Sequence, residues 1–189
     1  MRSQPDSSFT PIRLAARPNS GVGQPMTVPE IVLSQADSPE LVAMARCLFR
    51  EYAEAIATDL EYQGFAAELA GLPAPYAPPN GALLIAHADG NLAGCVGLRS
   101  LDSRTGEMKR LYVRPAYRGS GVGRCLVEAA IQTARQAGYT ELRLDTLPSM
   151  ASAQALYHRL GFVEIPAYND AHLPGTRFYA LKLPPDNSL

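Results

Sequence analysis

Apolar and polar positions follow two periods along the chain, and the switches between them mark its elements. Residues 30–36 (EIVLSQA) alternate closely enough for a strand. Asp37, Ser38 and Pro39 then make a helix entry, with Pro near the first helical position. Leu41, Met44, Ala45, Leu48, Phe49 and Tyr52 recur every three or four residues, which predicts an amphipathic helix over 39–57. A second helical stretch is expected from Asp59 to Leu69, ending near Gly71, and the Pro-rich segment 72–81 (LPAPYAPPNG) reads as a loop. A meander follows: strand 82–88, the tight turn Asp89-Gly90, strand 91–101 and strand 106–113 (GEMKRLYV), the last stopped by Pro115. A helix is predicted over 121–137, with Val122, Leu126, Ala129, Ala130 and Thr133 on one face and Gly138 as its stop. A strand at 141–146, a helix from Ser149 to Leu160, and two strands at 162–165 and 177–183 complete a β-α-α-β-β-β-α-β-α-β-β order, a mixed α/β pattern.

Residues 1–25 show no period and are rich in Ser, Pro, Gly and Gln, so they are expected to form a disordered extension before a domain over 26–189. Met26 opens a segment that looks like a natural start. The length of 189 residues and the 47% hydrophobic content fit one soluble globular domain. A net charge of −1 argues against a nucleic-acid partner. The balance hides a basic stretch: Arg104, Lys109, Arg110, Arg114, Arg118 and Arg124 are opposed locally only by Glu107.

Cys47, Cys95 and Cys125 are far apart, lack any CxxC spacing and sit among apolar neighbours. They read as buried free thiols of a cytoplasmic protein, without a disulfide or a metal site. No apolar run approaches the roughly 18 residues of a membrane span, and the first 25 residues lack a signal-peptide core.

The sharpest chemistry lies between the third meander strand and its helix, in Val113-Arg114-Pro115-Ala116-Tyr117-Arg118-Gly119-Ser120-Gly121-Val122-Gly123-Arg124. Glycines at alternate positions let the backbone expose its N–H groups, and the helix N-terminus adds positive potential. Arg118 and Arg124 add charge, so the segment reads as an anion cradle. It is not a Walker loop, because no Lys-Ser/Thr follows, and its glycine spacing is not that of a dinucleotide fingerprint.

Here the sequence resembles the GCN5-related N-acetyltransferase (GNAT) superfamily. Arg118-x-x-Gly121-x-Gly123 matches the signature R/Q-x-x-G-x-G/A, while Leu111-Tyr112-Val113-x-Pro115 and Ala155-Leu156-Tyr157-x-x-x-Gly161-Phe162 match two further stretches. The likeness spans about residues 28–183, with the motifs in family order. It implies a mixed, mostly antiparallel central sheet flanked by helices and splayed where the cofactor enters. It also implies an acetyl-CoA-dependent N-acetyltransferase that uses no metal and works by direct transfer in a ternary complex. By resemblance, Arg118, Gly119, Ser120, Gly121, Val122, Gly123 and Arg124 bind the pyrophosphate of coenzyme A, and Leu111, Tyr112 and Val113 pair with its pantetheine arm. Where many members carry an Asn seven residues before the Tyr, this chain has Met150, so Ser149 or Ser152 would have to supply that contact.

Acetyl transfer to an amine poses two proton problems. An alkyl ammonium with a pKa of about 10.4 must lose a proton, and a thiolate whose thiol has a pKa of about 8.5 must leave. The resemblance makes Tyr157 the acid candidate beside the sulfur and Glu107 the base candidate on the cofactor strand, with Asp145 a second carboxylate. For Tyr157 the alternative is a packed helix tyrosine; for Glu107 it is a surface charge paired with Lys109 or Arg110. The first helices and last strands would wall the acceptor site, which brings in Tyr62, Tyr76, Tyr168 and Arg177, with Tyr52, Gln63, Phe65, Asn169 and His172 nearby. Arg177 could clamp a carboxylate or be a surface charge beside an edge strand. The expected acceptor is a small-molecule amine, since no acidic patch is evident to receive a basic peptide. A protein lysine or N-terminal acceptor, O-acyl transfer and a non-catalytic coenzyme A-binding module are the alternatives. The C-terminal edge strands leave room for a homodimer.

Overall fold

A computed structural model describes residues 12–15, 29–56, 60–61, 64–170 and 172–184. Its strands are β1 (Ile12–Ala15), β2 (Glu30–Gln35), β3 (Ala82–Ala88), β4 (Asn91–Ser100), β5 (Thr105–Val113), β6 (Glu141–Thr146), β7 (Val163–Ile165) and β8 (Arg177–Lys182). They form one eight-stranded sheet in the order β1-β2-β3-β4-β5-β6-β8-β7. Every neighbouring pair is antiparallel except β5 with β6. The helices are α1 (Pro39–Ile56), α2 (Phe65–Ala70), α3 (Val122–Gln136) and α4 (Ala151–Arg159). This is the mixed, mostly antiparallel sheet flanked by helices that the sequence leads one to expect.

Local chemistry explains the element ends. The Ser38 hydroxyl accepts the Leu41 N–H at 3.2 Å and caps α1. Asp89 and Gly90, with φ of 48° and 78°, make the tight hairpin between β3 and β4. Period-two alternation then splits the core. Leu84, Ala86, Leu98 and Met108 point toward α3 and pack with Leu126 and Ala130. Leu83, Ile85 and Cys95 point the other way, onto Leu48 and Phe49 of α1.

Four differences from the sequence reading stand out. The second helical stretch is shorter than 59–69: α2 starts at Phe65, behind Gly64 with φ of 69°. The Pro-rich loop contains a 3-10 turn, Ala74–Tyr76. Ile12–Ala15, inside the segment read as an extension, pairs with β2, Ile12 standing opposite Leu33. Four alternating residues amid Ser, Pro and Gly carry too little signal alone, and the open β2 edge supplies their partner. Cys95 and Cys125 are buried, but Cys47 is exposed on α1, its thiol facing Glu51 at 3.4 Å. Among the described residues no helix is long and apolar enough to cross a membrane.

Candidate functional site

β5 and β6 pair only at their starts, where Thr105, Gly106 and Glu107 stand against Glu141, Leu142 and Arg143. From Met108 onward β5 has no partner on that side, and the two strands diverge into a wedge. The cause lies on the opposite edge of β5. Between the pairs Cys95–Tyr112 and Gly97–Lys109, two residues of β5 face one of β4, and Arg110 sits at φ 56°. Such a bulge bends and twists its strand. It also turns two successive side chains, Lys109 and Arg110, to the α1–α2 face.

Arg110 is held from that face. Its guanidinium donates to both Glu68 oxygens, with Nη2–Oε2 at 2.6 Å and Nε contacts at 3.1 and 3.2 Å. The Tyr76 hydroxyl also donates to Glu68. Phe65 and Tyr52 offer their ring faces to the guanidinium at 5.2 and 5.9 Å. Burial pushes the Glu68 carboxyl up, but Arg110 and Tyr76 outweigh it and hold it below the usual range. α2 is thereby tied to the bulge. Tyr76 is fully buried, its ring filling the space where a side chain on Gly97 would stand. Tyr76, expected on the acceptor side, is thus a core residue whose hydroxyl serves Glu68.

At the closed end of the wedge lies Glu107, 1% exposed. One oxygen accepts from Arg99 at 2.6 and 2.7 Å, and the other accepts the Tyr168 hydroxyl at 2.8 Å. Burial first, then the carboxylates of Glu107 and Asp145, push the Tyr168 hydroxyl well above the usual tyrosine range. The partner of Glu107 is therefore Arg99 rather than Arg110; Lys109 stands 4.0 Å away.

At the open end the Lys109 ammonium donates to Asp145 at 2.7 Å and bridges the two strands. A small cavity opens there between α1 and the wedge, lined by Tyr52, Ile56, Leu60, Lys109, Arg110, Asp145, Thr146 and Leu147. The Thr146 hydroxyl is buried without a hydrogen-bond partner among the described residues. Tyr157, on α4, is buried against Phe162 and Tyr179, with ring centroids 5.7 and 6.2 Å away. Burial, then the charges of Tyr52 and Asp145 at the cavity, push its hydroxyl well above the ordinary value.

β5 leads through the 3-10 turn Pro115–Tyr117 into the glycine loop. Gly119 and Gly121 have φ of 80° and 97°, which L side chains rarely adopt. Gly121 starts α3 with no side-chain cap. The first helical N–H to find an acceptor is that of Cys125, on the Gly121 carbonyl at 3.0 Å. The N–H groups of Val122, Gly123 and Arg124 precede it and are the open end of the helix. Gly123 lies against Val113 of β5, where an added Cβ would make an ordinary contact at 3.4 Å.

The polar side chains of the loop have partners within the chain. Arg118 Nε donates to the Val113 carbonyl at 3.2 Å, Ser120 to the Tyr117 carbonyl at 2.7 Å, and Arg124 pairs with Glu128 at 2.7 Å. The basic stretch is largely neutralised too, because Lys109, Arg110 and Arg114 pair with Asp145, Glu68 and Glu51. Backbone N–H groups are thus the main donors open to an anion here, with the exposed Arg118, whose bond is to a neutral carbonyl, keeping its charge beside them. Gly121→Ala is accordingly expected to weaken coenzyme A binding about tenfold, from the roughly 1–2 kcal/mol of forcing Ala to positive φ. Isothermal titration with coenzyme A measures it.

Of the remaining expected residues, Leu111 and Val113 pack toward α3 while Tyr112 packs toward α1, leaving the β5 backbone edge for the wedge. Arg177 is about half exposed and 3.8 Å from Glu164, the surface-charge alternative. Tyr62 and Gln63 lie outside the described residues. Met150 stands before α4 with no side-chain cap hydrogen bond. Among the described residues no group of three His, Cys, Asp or Glu side chains could hold a metal ion. Sequence reasoning did not find Arg99, Glu68, Lys109 or Thr146 as site residues. The bulge that gathers Lys109 and Arg110 onto one face carries no glycine, the usual mark.

Comparisons with known proteins agree with this geometry. The model of the acetyltransferase (GNAT) family matches residues 41–162. An uncharacterized N-acetyltransferase of Schizosaccharomyces pombe is 34% identical over 155 residues, covering 81% of this chain and 95% of the relative. A crystal structure of an acetyltransferase from Streptococcus agalactiae superposes with a TM-score of 0.66 at 23% identity, covering 81% of this chain and 98% of the other. YncA of Salmonella typhimurium, solved with its cofactor acetyl-CoA, has a TM-score of 0.57 at 22% identity, covering 80% and 93%.

Proposed function

We propose that this chain, which belongs to the GNAT acetyltransferase family, moves an acetyl group from acetyl-CoA to the amino group of a small-molecule acceptor by direct transfer in a ternary complex. One observation carries the reading. An open strand edge leads from the glycine loop to a cavity whose wall holds a carboxylate.

The residues fit coenzyme A at three points. The N–H groups opening α3, with the positive-φ turn before them, suit a diphosphate. The unpaired edge of β5 suits an amide-bearing arm laid on as an added strand. The cavity accepts the reacting end. Bound there, acetyl-CoA supplies an activated acetyl thioester.

The chain's own groups then do the positioning and the proton work. Asp145, on the cavity wall, accepts a hydrogen bond from the incoming ammonium and takes its proton. Glu107, the other carboxylate, has its two oxygens engaged by Arg99 and Tyr168, and it holds the closed end of the wedge rather than acting as the base. Tyr157 donates a hydrogen bond to the departing sulfur, its raised pKa keeping the phenol protonated across the neutral range.

A thiol-release assay with acetyl-CoA and a panel of primary amines tests this. Turnover is expected, with Asp145→Asn losing the acidic limb of the pH–rate profile and Glu107→Gln keeping it. Coenzyme A binding without thiol release from any amine would point instead to a non-catalytic binding module. Turnover confined to peptide lysines or N-termini would replace the small-molecule acceptor.

A further inference from the structure

We propose that Tyr168 is a positioning residue: it staples β5 to β6 at their last pair and so fixes where the wedge opens. It acts through Glu107 and Arg143 rather than on either substrate. Its consequence for turnover rests on the reading of the wedge as the cofactor track.

The ladder alone leaves the opening point unfixed. β5 and β6 share three pairs, the last being Glu107 with Arg143. Beyond them the bulge at Arg110 turns β5 away. A parallel ladder this short holds weakly, and a strand bent aside at one end strains the nearest pair first. Tyr168 engages both members of that pair. Its hydroxyl donates to Glu107 at 2.8 Å, and the Arg143 guanidinium lies over its ring, 5.5 Å from the centroid. Phe178 of β8 backs the ring edge-on at 5.1 Å. The contact is a long-range one. Tyr168 follows β7, which lies three strands from β5, about 14 Å across the sheet. The side chain thus reaches back past β8 and β6 to the fork. Burial and the carboxylates of Glu107 and Asp145 keep its phenol a donor.

The fork matters because of what comes next along β6. Asp145 is the next residue after Arg143 on the same face, and its partner on β8 is Phe178. A fork held at Arg143 holds Asp145 at a set distance from the open edge of β5. A second tie, Lys109 to Asp145 at 2.7 Å, uses the carboxylate that takes the proton, and it weakens once Asp145 is neutral. The Tyr168 tie uses no group of the cavity and survives that proton transfer.

Tyr168→Phe removes the hydroxyl and keeps the ring contacts, and hydrogen exchange in the protein without cofactor reads the fork directly. Segments 105–108 and 141–144 are expected to exchange about fivefold faster or more in the variant, with α3 unchanged. In thiol release, kcat is expected to fall about tenfold while the Kd for coenzyme A stays within about twofold, because the glycine loop lies at the far end of β5. In Glu107→Gln, where Arg99 and Tyr168 compete for one carbonyl oxygen, adding Tyr168→Phe is expected to change kcat by less than about twofold. Unchanged exchange at the fork overturns the staple. Faster exchange everywhere, α3 included, marks general destabilisation and overturns it too. Faster exchange at the fork with kcat unchanged overturns the positioning role. An undiminished loss of kcat in the Glu107→Gln background overturns the route through Glu107. No thiol release from any amine, in wild-type protein that still binds coenzyme A, overturns the acetyltransferase reading and the positioning role with it, while the exchange result stands by itself.

Discussion

Replacing Glu68 with alanine is expected to lower the free energy of unfolding by about 3–5 kcal/mol, the usual cost of leaving a buried charge without its partner. Glu68 and Arg110 are both mostly buried, and the guanidinium grips both carboxylate oxygens. The variant strands that guanidinium between Tyr52 and Phe65 and takes away the acceptor of the Tyr76 hydroxyl. Urea unfolding measures the loss; a change below about 1 kcal/mol would be that of a surface pair and would contradict the account of how α2 is held. Glu68→Ala combined with Arg110→Met is expected to recover part of the stability, since an apolar pair leaves no buried charge unpaired. The pH dependence follows from the lowered Glu68 carboxyl. A depressed folded pKa stabilises above the unfolded value and loses that contribution as pH falls through the folded one. The gap between wild type and Glu68→Ala is therefore expected to be full at neutral pH and to narrow below about pH 4.

Tyr157→Phe is expected to reduce kcat about a hundredfold while leaving coenzyme A affinity within about twofold. General acid catalysis contributes roughly 10²–10⁴, and the lower end applies here. Burial raises the phenol well above its ordinary value, so full proton transfer to a thiolate is uphill. A hydrogen bond to the developing charge remains, and phenylalanine removes only that. The ring contacts to Phe162 and Tyr179 survive the substitution, so stability is expected to change little. Turnover near the wild-type level would return Tyr157 to the packed helix tyrosine that the sequence also allows.

Much of the fold was legible because its periods are clean. The β3–β4 hairpin, α1, α3 and β6 lie within a residue or two of the expected bounds. Asp89-Gly90, Ser38-Pro39 and Gly138 are local stops whose chemistry needs no tertiary context. Of the site, the glycine loop was legible for the same reason. Its backbone conformation is written in the glycines, while its flanking arginines turned out to be occupied by Val113 and Glu128.

The cavity side of the wedge was not legible, because it depends on one residue out of register. Strict alternation along GEMKRLYV sends Lys109 and Arg110 to opposite faces, whereas the bulge at Arg110 sends both to one. The choice of buried partners then depends on cross-strand register. Glu107 meets Arg99, its directly paired residue on β4, and not the sequence neighbour Arg110. Tyr76, an acceptor-side candidate by its place in a Pro-rich loop, is the plug over Gly97, a long-range fit with no local signal.

The central claim is that a single track, from the glycine loop along the open edge of β5 to the cavity, carries acetyl-CoA to the acceptor. A crystal structure of the protein with coenzyme A tests it most directly. The account predicts the diphosphate on the N–H groups of Gly121 to Arg124, the pantetheine amides paired with the backbone of Leu111 to Val113, and the thiol at the cavity beside Tyr157 and Asp145. A cofactor bound elsewhere, or bound with β5 and β6 zipped together beyond Glu107, would contradict it.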